Sequence, residues 1–90
     1  MAKDNTRQCA EKRIKQLLIS ELGIDPEMVV KSSSQTPLLG RGIGLDSMEA
    51  LTLVVGIEEE FGIQVDDEDL TVALFESIAT LTEYVLRKTA

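Results

Sequence analysis

The 90-residue chain contains no histidine and no tryptophan, one cysteine and only two prolines. Without histidine it lacks the usual general base near neutral pH and the commonest metal ligand. A Ser-His-Asp or Cys-His catalytic arrangement cannot be assembled from it. The lone thiol, Cys9, rules out an internal disulfide and a cysteine zinc site, and reads as a small residue early in a helix. These gaps argue against an enzyme. The aromatics reduce to Phe61, Phe75 and Tyr84, so any core must be built from Leu, Ile, Val and Ala. No apolar run approaches the roughly 20 residues that a membrane-spanning helix needs. The first residues, "MAKDNTRQCAEKR", lack the apolar stretch of a secretory signal. A single domain is expected over residues 1–90, cytoplasmic and monomeric, with a core limited by its size.

Positive charge is also missing where it would matter most. Between Gly42 and Leu86 there is no Lys or Arg. The same stretch carries Asp46, Glu49, Glu58, Glu59, Glu60, Asp66, Asp67, Glu68, Asp69, Glu76 and Glu83, and the net charge is −7. Lys3, Arg7, Lys12, Arg13, Lys15, Lys31 and Arg41 give the preceding residues a slight basic excess. Nucleic acid would be repelled by the acidic half and would find few rings to stack on. A charge run is usually a solvated face, yet one this one-sided favours partners with basic patches.

Helical periodicity organises most of the chain. Ala10, Ile14, Leu17, Leu18 and Leu22 recur at helical spacing and predict a first helix over Thr6–Leu22, closed by Gly23. "IDPEMVVKSSSQTPLLGRGIGL", residues 24 to 45, reads as a long loop pinned by Ile24, Val29, Leu38 and Leu39. A second helix is expected from Asp46 to about Phe61, where Gly62 stops it. Asp46 and Glu49 match a capping box at its start. At about 100° per residue, Ala50, Leu53, Val54, Ile57 and Phe61 form the core face. Met48, Leu51 and Val55 form a second apolar patch on nearly the opposite side. Either a small bundle buries both faces, or this patch stays exposed among Glu49, Glu58 and Glu59 to dock a partner. The second is the preferred reading.

"IQVDDEDL" supplies Ile63 and Val65 as anchors and then one short helical turn from Asp66 to Leu70. Its acids do not form an EF-hand loop, because Thr71 stands at the sixth position where glycine is required. A last helix spans about Glu76–Lys88, burying Ile78, Leu81 and Val85. The expected fold is all-α: a small four-helix bundle of three longer helices and one short one, with a long loop between the first two.

Ser47 falls in the first turn of the second helix, where backbone N–H groups lack partners and the dipole is positive. It could serve as a plain capping serine, a kinase target, or a point where a phosphate ester is attached. A "DS" pair before a helix does not separate these.

The wider pattern "GLDSMEALTLVVGIEEEFGIQVDDEDL" resembles the acyl carrier protein family, whose attachment motif is Gly-x-Asp-Ser-Leu. Gly44, Asp46 and Ser47 match that motif. "EKRIKQLLISELGI" and "FESIATLTEYVLRK" look like the family's first and last helices, so the resemblance covers roughly residues 10 to 88. It implies that Ser47 bears 4′-phosphopantetheine through a phosphodiester, installed from coenzyme A by a phosphopantetheinyl transferase. The arm would hold acyl groups as thioesters for acyl-loading and acyl-processing enzymes of fatty-acid, lipid or polyketide-type biosynthesis. Asp46 would cap the helix and face the transferase. Met48, Glu49, Leu51, Val55, Glu58 and Glu59 would form the docking face for basic patches. Met48 replaces the usual Leu, a volume-conserving change. The loop from Val30 to Leu45 looks a few residues longer than in the common fatty-acid carriers, which points to a specialised pathway. "GLDSM" also resembles D-alanyl and other aminoacyl carriers, and a non-carrier acidic interaction module is the remaining alternative.

Overall fold

A computed structural model describes the backbone of residues 2–89 and the side chains of residues 6–89. Four α-helices follow one another: α1 (Ala2–Ser20), α2 (Pro26–Lys31), α3 (Ser47–Phe61) and α4 (Ile78–Thr89). Two 3₁₀ turns, Asp67–Asp69 and Val72–Phe75, lie between α3 and α4. The described residues contain no strand, only an isolated parallel bridge between Leu39 and Leu45. The expected all-α bundle is observed.

The α1 helix begins earlier than its periodicity suggests and ends where glycine allows. Gly23 adopts φ 66°, its N–H reaching the Ile19 carbonyl while the Ile24 N–H reaches that of Leu18. This double closure satisfies carbonyls that a helix end otherwise leaves open. The α2 helix interrupts the stretch read above as continuous loop. Asp25 caps it by accepting the Glu27 N–H at 3.0 Å, and Pro26 occupies the first helical position, where its missing N–H costs nothing. Val29 then anchors it, 2% exposed. The bundle does hold three longer helices and one short one. The short α-helix is this one; the turn expected over Asp66–Leu70 forms as 3₁₀ over Asp67–Asp69.

The last helix starts two residues later than expected. The Ser77 hydroxyl accepts the Thr80 N–H at 3.1 Å, so Ser77 is the cap and Ile78 the first helical residue. The long connection between α1 and α3 completes that helix start. The carbonyls of Thr36 and Ser34 accept the N–H groups of Ile78 and Ala79, and the Leu38 N–H reaches the Phe75 carbonyl. Loop backbone thus supplies partners for donors that α4 cannot satisfy internally.

One aliphatic core joins these elements. Ile14 and Leu18 of α1, Leu53 and Ile57 of α3, Ile78, Leu81 and Val85 of α4, and Leu38 of the connection are all fully buried. The core positions expected from α3 are occupied as read, with Phe61 half-buried. Ion pairs trim the charge asymmetry: Arg7 meets Glu83 and Arg13 meets Glu60, each at 2.7 Å across helices. Both pairs are substantially exposed, and pairs of that kind contribute little to stability.

Candidate functional site

The α3 N-terminus is held by a reciprocal cap. Asp46 has extended backbone (φ −92°, ψ −179°), and its carboxylate accepts the Glu49 N–H at 2.8 Å. Glu49 Oε1 accepts the Asp46 N–H at 3.1 Å in return. The cap is Asp46, not Ser47. Ser47 is therefore free to point outward from the first helical position, and it is exposed. No described residue bonds to its hydroxyl. Its own N–H and that of Met48 lie in the first turn, where no intrahelical acceptor exists.

The residues before this turn are fixed. Leu39 bridges Leu45, the Leu45 N–H donates to the Leu38 carbonyl at 2.9 Å, and Ile43 and Leu45 are buried. A Cβ on Gly42 would lie 1.7 Å from the Pro37 carbonyl oxygen, so only glycine fits there. A rigid step thus presents Ser47 at one end of α3.

The second apolar patch of α3 remains uncovered. Met48 is 75% exposed, Leu51 49% and Val55 52%. Val72, in the second 3₁₀ turn, adds an exposed neighbour at 76%. Between Leu51 and Val72 lies a cleft of about 210 Å³ that opens beside Ser47. Leu39, Leu51, Leu70, Val72 and Phe75 make its walls mostly apolar. Sequence reading missed Val72 and the cleft. The apolar run "VALF" after an acidic segment was the available hint, but its position over α3 is set by packing.

The carboxylates around the patch divide into engaged and free. Glu49 is committed to the cap, and the Glu58 carboxylate accepts the Val65 N–H at 2.9 Å. Glu60 belongs to Arg13, whose guanidinium also stacks over Phe61 at 4.5 Å. Glu59 is exposed and has no partner among the described residues. Tyr84 donates to Asp69 at 2.7 Å and Lys88 to Asp66 at 3.0 Å, tying the first 3₁₀ turn to α4. Burial and the bond to Asp69 push the Tyr84 phenol above its ordinary value, and the Asp66 bond raises the Lys88 ammonium.

A family model described as "Phosphopantetheine attachment site" matches residues 12–85. The chain belongs to this family. It is also 33% identical, over 73 residues, to an acyl carrier protein of Zymomonas mobilis subsp. mobilis, covering 81% of this chain and 82% of that protein. The protein is thus a phosphopantetheine-binding acyl carrier, and carriers of this family are not catalysts. Its prosthetic group is covalently attached 4′-phosphopantetheine. The residues present suit such a group: an exposed, unbonded hydroxyl at a helix N-terminus can take a phosphodiester without displacing a cap. No helix among the described residues is long and apolar enough to cross a membrane.

Proposed function

We propose that Ser47 is the attachment residue, and that the carrier delivers acyl groups to partner enzymes docked on the exposed face of α3. The observation that carries this is the free Ser47 hydroxyl at the first position of α3, with Asp46 performing the cap beside it. The arm supplies a terminal thiol on which an acyl group is held as a thioester. This chain's own residues orient and present it. Asp46 and Glu49 hold the helix end rigid, and Met48, Leu51 and Val55 offer partners an apolar contact surface. Glu59, with Glu58 and Glu49 behind it, attracts basic patches such as that of a phosphopantetheinyl transferase.

The apolar lining of the cleft beside Ser47 supports a hydrocarbon cargo over an aminoacyl one, whose ammonium would lose hydration there. In this reading the chain is one carrier unit working as a cytoplasmic monomer. The long connection between α1 and α3 supports a specialised fatty-acid, lipid or polyketide-type pathway over bulk synthesis.

The test is intact mass after incubation with coenzyme A and a broad-specificity phosphopantetheinyl transferase. Gain of one phosphopantetheine by the wild type and none by Ser47→Ala is the expected result. Loading that persists in Ser47→Ala would move the attachment point elsewhere.

A further inference from the structure

Loading Ser47 adds a phosphodiester anion where two carboxylates already stand. Asp46 precedes the hydroxyl and Glu49 lies on the same helical turn, both fixed in the capping box. The helix dipole offers only about half a positive charge at this end. Asp46 already occupies the Glu49 N–H and so draws on that charge. Like charges held this close disfavour one another unless a cation intervenes.

No Lys or Arg follows until Arg87, near the far end of α4. Arg41 is the exception on the near side. It is exposed, and its guanidinium has no ion pair, hydrogen bond or ring partner among the described residues. Arg7, Arg13, Lys15 and Lys88 are each paired with a carboxylate, and Arg87 lies over the Tyr84 ring.

Arg41 is not on a drifting loop. Ile43 donates its N–H to the Pro37 carbonyl at 2.9 Å, and Gly42 is wedged against Pro37. Gly40 and Gly44 adopt φ 65° and 86°, and a Cβ on Gly44 would meet the Gly40 carbonyl oxygen at 3.4 Å. The bridge between Leu39 and Leu45 and the approach of Gly44 to the Gly40 carbonyl bring the backbone that carries Arg41 against the segment leading into Ser47. A glycine-tight step anchored by the buried Ile43 and Leu45 therefore offers an unspent guanidinium beside the segment that leads into α3.

We propose that Arg41 is a positioning residue for the prosthetic group, its guanidinium acting as the counter-charge of the phosphodiester on Ser47. The inference rests on Ser47 being the attachment residue. Arg suits the role because its planar fork can take two phosphate oxygens at once and does not lose its charge. It would fix the root of the arm and offset repulsion from Asp46 and Glu49, leaving the distal arm free.

The test compares apo and phosphopantetheine-loaded forms of the wild type, Arg41→Gln and Lys31→Gln, with loading verified by intact mass. Lys31 is a second exposed cation without a partner and serves as the control. On loading the wild type, the Arg41 Nε–H resonance should shift. At low ionic strength, the change in Tm on loading should be about 4 °C less favourable in Arg41→Gln than in the wild type or Lys31→Gln. That gap should close in high salt. An unshifted Arg41 resonance, or the same loading-dependent change in Tm for all three proteins, overturns the proposal. A wild type that gains mass at another residue overturns the Ser47 reading first, and this inference with it.

Discussion

The Glu58 carboxylate accepts the Val65 N–H at 2.9 Å, fastening the end of α3 to the segment beyond Gly62. Its neighbour Glu59 is exposed and bonds to nothing described. Adjacent acids of the same type therefore have different work. Glu58→Ala should cost about 1–2 kcal/mol in urea unfolding, because it strands a partly buried N–H. Glu59→Ala should stay within about 0.5 kcal/mol. Its effect should appear instead as slower loading by the transferase at low salt, fading as ionic strength rises.

Asp46 and Ser47 separate the cap from the modifiable hydroxyl. Asp46→Ala removes the acceptor of the Glu49 N–H and should lower the stability of the apo protein by about 1 kcal/mol. Ser47→Ala deletes a group with no partner and should change it by less than about 0.5 kcal/mol. Thermal melts of the two apo variants decide. Equal losses would mean that the hydroxyl is structural.

Two glycines should respond in opposite directions. Gly56 is buried in mid-helix, and an added Cβ would meet the Glu21 and Leu17 side chains at 3.4 and 3.5 Å, ordinary contact distances. Gly56→Ala should therefore gain part of the roughly 1 kcal/mol of helix propensity and raise Tm. Gly42→Ala drives its Cβ into Pro37 backbone and should cost about 1–3 kcal/mol or more.

Tyr84 is the chain's only tyrosine, so absorbance near 295 nm reports it alone. Its phenol is raised by burial and by the Asp69 bond, and its stabilising contribution is complete below the unfolded value near 10.0. That contribution is lost as pH rises through the higher folded value, where the buried phenolate faces Asp69. Lys88, raised by Asp66, follows the same sign in the same alkaline window. The titration midpoint should lie above 10.0 while the protein is folded. Tyr84→Phe should flatten the alkaline fall in stability.

The Asp67 and Glu68 carboxylates have no partner among the described residues and lie beside Asp66 and Asp69. Their repulsion should ease with added salt, so Tm should rise with ionic strength, and Asp67→Asn should raise it most at low salt. A melt indifferent to ionic strength would remove this cluster as a source of instability.

Most of the architecture was legible in the order of residues because the forces that set it act locally. The periodic Leu and Ile of α1, the glycines at 23 and 62, and the Asp46–Glu49 cap each involve residues at most a turn apart. The same locality placed Ser47 at a helix start, and the extended resemblance around it indicated its family. The α2 helix was also within reach, since Asp25-Pro26 is a helix-start pair, but six residues give too little periodicity to see.

What only the tertiary structure decided involves partners far apart in the chain. The amphipathic pattern marked Ala50, Leu53, Val54 and Ile57 as the core face of α3 and favoured an exposed Met48, Leu51 and Val55. Spacing alone left open a bundle that buries both faces. Packing against α1 and the rest of the core covers Leu53 and Ile57 and leaves Met48 and Val55 exposed. The cleft beside Ser47 exists only because Leu39 and Val72 converge on α3 from different segments, and Glu58 is bound only because the chain beyond Gly62 folds back to it. Such contacts depend on how elements settle against one another in a shared core. Local sequence cannot encode that by spacing alone.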